Sequence, residues 1–196
     1  MSKQEIEHFY PETKQQWRMW LEQNHVSKDA VWLLFYKKHT GKPSVKWTDA
    51  VDEALCFGWI DSKAETIDQD TFRQYFCKRK PNSTWSKINK QKIEALTEKG
   101  LMTKAGFKVI ELAKQNGSWT LLDEVEELII PSDLENAFEK LEHSKDYFLS
   151  LSKSRKKVLL QWIALARTDS TRQKRIFEIA ECASQEELPK PFKPKK

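Results

Sequence analysis

Residues 54–61, which read ALCFGWID, carry the signal that decides the fold. The apolar residues ahead of them recur at helical spacing behind an acidic first turn, and Thr48 is the expected N-cap of this helix. Gly58 is the residue type that enters the left-handed conformation without penalty, so the helix is expected to end there. The composition of residues 59–66 is then typical of a β-strand. The stretch therefore predicts a helix-to-strand junction at Gly58.

Three segments with strand-like composition predict a small sheet. Residues 31–37 form a short, continuous apolar run that is closed by turn-forming residues at 38–43. Residues 59–66 and 72–79 are β-like and are joined by the turn-prone residues 68–70. The last two segments are predicted to pair as an antiparallel hairpin, with residues 31–37 as a further strand.

Helical patterns flank the predicted sheet, and after residue 120 they are the only signal. The predicted fold class is therefore α+β, with a small antiparallel sheet and packed helices followed by an all-helical C-terminal part. We expect an α+β domain over residues 1–125, a helical domain over residues 126–188 and a disordered basic tail over residues 189–196.

Composition narrows the class of protein. The chain carries a net charge of +5, but four lysines lie in the tail PKPFKPKK, so the rest of the chain is nearly neutral. This near-neutrality argues against nucleic-acid binding, although basic residues at 155–157 and 167–175 keep a weak nucleic-acid binder as an alternative. Three cysteines without a CxxC spacing, no apolar leader and no long apolar run together predict a cytoplasmic protein without a membrane span.

Cys56 is the candidate nucleophile within the opening stretch. It falls at the C-terminal end of the predicted helix, where the negative end of the helix dipole raises the pKa of a thiol. We therefore interpret Cys56 as a buried structural cysteine and assign no catalytic residue. The four histidines lack metal-ligand spacing, and the usual catalytic and phosphate-binding motifs are absent, so neither a metal nor a cofactor is predicted.

A candidate ligand-binding site is predicted where the hairpin meets the helix that follows it. Asp61 is a carboxylate near the start of one strand, and the partner strand ends in Arg79 and Lys80. Antiparallel pairing brings these two ends together, and the next helix begins behind hydroxyl side chains with free backbone N–H groups. Ordinary helix capping and a structural ion pair are the alternatives. The predicted set is Trp59, Asp61, Arg79, Lys80, Trp85, Ser86 and Asn89.

Four blocks of the sequence resemble a known family. They are VWLLFYKK (31–38), DAVDEALCFGWIDS (49–62), KRKPNSTWSKIN (78–89) and WIALARTDSTRQKRI (162–176). In order and wording they resemble the bacterial YdeI/OmdA family (bacteriocin-protection, YdeI or OmpD-associated) over nearly the whole folded chain. Two positions depart from the family pattern, which has a proline in place of Lys78 and a lysine in place of Arg167.

The resemblance implies an α+β N-terminal part, a small helical C-terminal domain and an association with resistance to bacteriocins or cationic peptides. It implies no established reaction. Cys56 stands at a position that the family pattern leaves unspecified, whereas the pattern does specify the segment from Gly58 to Asp61. That contrast favours a helix-to-strand junction over a nucleophile.

Three functions are compatible with these observations. The first is a non-catalytic cytoplasmic protein of stress resistance that binds a small anionic ligand or a protein partner at the candidate site. The second is an enzyme of unknown reaction that uses the same pocket, with Asp61 as its acid or base. The third is a weak nucleic-acid binder that uses the basic helical face and the tail. Because no histidine or second carboxylate adjoins Asp61 in sequence, binding is favoured over catalysis.

Overall fold

The structure, a computed structural model, describes residues 6–193. Its contacts divide this part of the chain into two compact units, one that ends at Trp119 and one that begins at Thr120. The first unit combines a sheet with helices and the second is helical, so the predicted α+β fold class is confirmed. The predicted domain ranges, with their boundary between residues 125 and 126, stay a prediction about which segments fold independently.

The first unit interleaves strands and helices. Its elements are β1 (His8–Phe9), α1 (Lys14–Asn24), β2 (Ala30–Tyr36), α2 (Trp47–Cys56), β3 (Trp59–Thr66), β4 (Thr71–Lys78), α3 (Lys87–Glu98) and α4 (Lys104–Gln115). A short 3₁₀ turn, Lys38–Thr40, follows β2. The three strands predicted from sequence are β2, β3 and β4, and their bounds differ from the expected ones by no more than about one residue.

The sheet has the strand order β1-β2-β4-β3. β3 and β4 form the predicted antiparallel hairpin, and β4 also pairs antiparallel with β2. β1 adds two residues that run parallel to β2, so the sheet is mixed rather than purely antiparallel. A strand of two residues is too short to leave a periodic signal in the sequence, which is why sequence reasoning misses it.

One face of the sheet contributes to the core of this unit. Val31 and Phe76 are paired across β2 and β4 and are fully buried, and the ring of Trp17 lies 5.5 Å from that of Phe76. Trp17 also donates its indole N–H to the carbonyl of Ala50 in α2 at 3.0 Å. Because this face is removed from water, any polar residue on it needs a hydrogen-bond partner of its own.

The junction predicted at Gly58 is present. α2 ends at Cys56, Gly58 has a φ of +73°, and its N–H donates to the carbonyl of Leu55 at 3.1 Å. β3 begins at the next residue, Trp59. A left-handed glycine thus turns the chain from the helix directly into the sheet.

The start of α2 differs from the prediction. The helix begins at Trp47 with Lys46 at the N-cap position, so the expected N-cap, Thr48, is wrong. The carbonyl of Lys46 already accepts the first helical hydrogen bond, from Ala50, before the hydroxyl residue is reached. The Lys46 side chain makes no capping bond, and this end of the helix is therefore left without a side-chain cap.

Within the described residues, the second unit contains five α-helices. They are α5 (Asp123–Glu126), α6 (Ser132–Phe138), α7 (Ser144–Ser150), α8 (Lys153–Ala164) and α9 (Asp169–Ser184). They enclose a separate apolar core that includes Leu134, Phe148 and Ile163. None of the helices described in either unit is both long and apolar enough to cross a membrane.

The tail is more ordered than its composition predicts. Pro189 is fully buried, Lys190–Phe192 form a 3₁₀ turn, and the ring of Phe192 lies edge-on to Trp162 with centroids 5.3 Å apart. The expectation of disorder is therefore wrong for residues 189–193, because proline and phenylalanine supply apolar surface that packs between the solvated lysines. Residues 194–196 lie outside the described part of the chain.

Candidate ligand-binding site

Asp61 lies half-buried on β3 and is held by two neutral donors. Its Oδ2 atom accepts hydrogen bonds from the side-chain amide of Gln74 at 3.0 Å and from the indole N–H of Trp47 at 3.1 Å. Gln74 is buried on β4 and also donates to the carbonyl of Ser62 at 3.0 Å. The carboxylate is therefore oriented by its neighbours rather than neutralised by a cation.

Arg79 follows β4 and is almost completely buried, with 7% of its surface exposed. Its guanidinium carbon lies 3.5 Å from the centre of the Trp85 ring, and its Nη2 atom donates to the carbonyl of Thr84. The other two guanidinium nitrogens, Nε and Nη1, are buried without a hydrogen-bond partner. A buried arginine with two unpaired donor nitrogens is unusual, because the cost of removing such groups from water is offset only by a hydrogen-bond partner.

Asp61 and Arg79 are neighbours but not an ion pair. The register of the hairpin sets Asp61 opposite Phe76, three residues before Arg79. Burial lowers the pKa of Arg79 to about 10, and the negative charge of Asp61 opposes that shift only in part. In the part of the chain that the structure describes, no carboxylate oxygen forms a salt bridge with Arg79.

The start of α3 supplies the rest of the predicted set. Ser86 is the N-cap, and its hydroxyl accepts from the backbone N–H of Asn89 at 3.3 Å. Trp85 is buried between Arg79 and Trp119, whose ring centroid is 5.0 Å from its own. Lys80 is exposed on the intervening loop, where its carbonyl accepts bonds from Ser83.

Trp59 has a different environment from the other predicted site residues. It is 1% exposed, its ring meets that of Trp20 edge-on at 5.7 Å, and its indole N–H donates to the carbonyl of His25 at 3.4 Å. The core thus accounts for a tryptophan at this position without a ligand. The other predicted residues belong to two clusters, one around Asp61 and one around Arg79.

Two residues that the sequence analysis did not select belong to the Asp61 cluster. Gln74 stands between Phe72 and Phe76 in β4, so the alternation of a strand places it on the same face as two large apolar residues. A polar residue in that position is a signal that sequence reasoning can use. The sequence around Trp47 contains no comparable signal, because the contact of Trp47 with Asp61 depends on how α2 packs against β3.

Two family models match the chain. Residues 9–109, just over half of it, match a family described as Domain of unknown function (DUF8412). The chain belongs to the DUF8412 family. Residues 127–186 match Bacteriocin-protection, YdeI or OmpD-Associated, so the resemblance to YdeI/OmdA is confirmed over the C-terminal part. No curated protein and no solved structure matches the chain.

The two matches divide the four blocks that carried the resemblance. The blocks at 31–38, 49–62 and 78–89 fall inside the DUF8412 region, and only the block at 162–176 falls inside the YdeI/OmdA region. The candidate site therefore lies wholly in the DUF8412 part of the chain. The YdeI/OmdA match does not extend over the N-terminal part, contrary to the range that the sequence analysis gave it.

Cys56, also in the DUF8412 region, is fully buried at the end of α2. Burial, reinforced by the negative charge of Glu53, raises the pKa of its thiol to about 11. At neutral pH the sulfur is therefore a thiol rather than the nucleophilic thiolate. Within the described residues, no group of histidine, cysteine or carboxylate side chains is arranged to hold a metal ion.

Cys56 is expected to resist alkylation in the folded protein. With iodoacetamide at pH 7.5, mass spectrometry should show Cys56 unmodified while the half-buried Cys182 is labelled, because thiolate fraction and access both limit the rate. Labelling in urea gives the control, since all three cysteines should then react. Modification of native Cys56 at the rate of a free thiol would contradict its structural role.

Proposed function

We propose that this protein is a non-catalytic, cytoplasmic binding protein that takes a small anion beside Arg79 and acts in protection against bacteriocins or cationic peptides. The proposal rests on one observation, the two guanidinium nitrogens of Arg79 that are buried without a partner. The association with bacteriocin protection comes from the family description that matches residues 127–186.

An anion would supply what the surroundings of Arg79 lack. Stacking on Trp85 and the bond to Thr84 offset part of the desolvation of the guanidinium, but neither brings a negative charge. The N-terminal end of α3 begins two residues after Trp85, and the dipole of the helix favours a bound anion there. Each of the two unpaired nitrogens, Nε and Nη1, can donate a charge-assisted hydrogen bond to an oxygen of a phosphate or carboxylate group.

The surroundings of Asp61 support binding rather than acid–base catalysis. Its Oδ2 atom is occupied by donors from Trp47 and Gln74, and neither of these side chains exchanges a proton near neutral pH. A carboxylate held in this way orients its neighbours. We therefore give Asp61 a positioning role and assign the anion to Arg79.

Replacement of Arg79 by methionine is expected to remove a phosphate-dependent stabilisation. In thermal unfolding, sodium phosphate should raise the Tm of the wild-type protein above its value in sodium chloride of equal ionic strength. A phosphate concentration one hundred times the Kd would raise the free energy of unfolding by about 2.7 kcal/mol. Arg79→Met should show no such difference between the two salts, whereas Lys80→Met, which removes an exposed charge on the same loop, should keep it.

The same variants connect binding to protection. In a peptide-sensitive bacterial host that expresses the protein, Arg79→Met should lose any survival advantage against a cationic peptide and Lys80→Met should retain it. Equal phosphate stabilisation of all three proteins would contradict an anion site at Arg79. A large loss of stability in Arg79→Met, with no phosphate effect in the wild type, would instead make the arginine purely structural.

A further inference from the structure

A concave site lies in the first unit, away from Arg79. It is a cleft with a volume of ≈ 680 Å³, within the range of roughly 300–1,000 Å³ that is typical of small-molecule sites, and it is formed by the end of β2, the start of β4 and the start of α2. Phe35 and Phe72 face each other across the two strands with rings 4.9 Å apart and nearly parallel. These rings give the cleft an aromatic lining, which favours a flat apolar ligand.

The charged side chains that line the cleft are all lysines, namely Lys37, Lys38 and Lys46. Lys37 is engaged, since its ammonium group donates to the carbonyl of Asp68 at 2.9 Å. Lys38 and Lys46 are exposed and have no salt-bridge partner among the described residues. The cleft therefore combines an apolar lining with positive charge at its rim, and this combination is complementary to an amphipathic anion.

Trp47 forms one wall of the cleft and is held in a fixed orientation. Nearly half of its surface, 48%, is exposed, which is high for a tryptophan at the start of a packed helix. Its indole N–H is bonded to Asp61, so the ring is anchored at its polar edge while its apolar face stays open. The adjoining end of α2 has no side-chain cap, and its dipole adds to the positive field of the lysines.

We propose that this cleft binds a small aromatic carboxylate, with the ring against Phe72 and Trp47 and the carboxylate facing Lys38 and Lys46. The site goes beyond the anion assigned to Arg79, because no residue is shared between them. Asp61 then acts as a positioning residue that holds Trp47 in the orientation the aromatic ring requires.

Calorimetric titration of the full chain with 2-naphthoate tests the proposal, and the uncharged 2-naphthamide serves as the matched ligand. We expect naphthoate to bind about tenfold more tightly than the amide, because its carboxylate faces two ammonium groups; a factor of ten corresponds to about 1.4 kcal/mol. The variant Lys38→Gln/Lys46→Gln should lose this preference and bind the two ligands alike. The variant Lys104→Gln/Lys108→Gln removes the same charge from exposed positions on α4 and should behave as the wild type.

The indole N–H resonance of Trp47, assigned with Trp47→Phe, localises the ligand. Naphthoate should shift this resonance in the wild type, and Trp47→Ala should weaken naphthoate binding while leaving the phosphate effect at Arg79 intact. A naphthoate affinity that neither the paired lysine change nor Trp47→Ala lowers would overturn the proposal. A naphthoate affinity no higher than that of the amide would do the same.

Discussion

Replacing Arg18 by methionine is expected to lower the free energy of unfolding by about 3 kcal/mol, because it leaves the buried carboxylate of Glu53 without a positively charged partner. Glu53 in α2 is 4% exposed, and its Oε2 atom accepts from Nη1 of Arg18 at 2.7 Å. Arg18 also donates to the carbonyl of Leu101 at 3.1 Å. We place the effect at the lower end of the range for broken buried pairs, since about a quarter of the Arg18 side chain reaches solvent.

Urea denaturation followed by circular dichroism measures this loss, and the same arginine offers an internal control. Glu22 is its second acidic neighbour, 3.4 Å away and half exposed, so Glu22→Gln should change stability by no more than about 0.5 kcal/mol. The double variant Arg18→Met/Glu53→Met should recover much of the loss, because it removes the stranded charge as well. If Arg18→Met were no more costly than Glu22→Gln, the buried pair would not be a stabilising feature.

Local signals explain why the architecture of the first unit was predictable from sequence. The apolar run of β2, the turn between β3 and β4 and the glycine at position 58 each report on a few adjacent residues, and the structure contains all three features. The pair between Arg18 and Glu53 has no such signal, since its members are 35 residues apart. A glutamate close in sequence to Asp49 and Asp52 is typical of a solvated helix face, and only tertiary packing buries it.

The proximity of Asp61 and Arg79 was predictable from sequence, but their contacts were not. Hairpin pairing placed Asp61 near Arg79, as the antiparallel register requires. The sequence could not show that Asp61 is already bonded to Trp47 and Gln74, because those contacts depend on the packing of α2 and on the rotamer of a glutamine. The same is true of the burial of Arg79 against Trp85, from which the proposal of an anion site derives.

Alanine at position 106 is expected to destabilise the fold by about 2–3 kcal/mol, as other overpacking substitutions do. Gly106 lies in the first turn of α4, and a Cβ atom built there would stand 2.4 Å from the carbonyl oxygen of Cys56. That oxygen is already fixed, since Thr103 donates to it through both its backbone N–H, at 3.1 Å, and its hydroxyl, at 2.7 Å. The two helices would have to separate at the junction that carries Gly58.

The sign of the change distinguishes this close contact from ordinary helix propensity. At an open helical position, replacing glycine by alanine stabilises a protein by about 1 kcal/mol. A loss of stability in denaturant titrations would therefore come from the contact of the new Cβ atom with residues outside α4. The Cβ atom would also lie 2.8 Å from the end of the Met102 side chain, which can move aside. Met102→Ala should therefore not rescue Gly106→Ala, because the contact with the Cys56 carbonyl is to backbone and persists. Recovery in the double variant would show that the flexible methionine, rather than the approach of α4 to α2, is what requires glycine here.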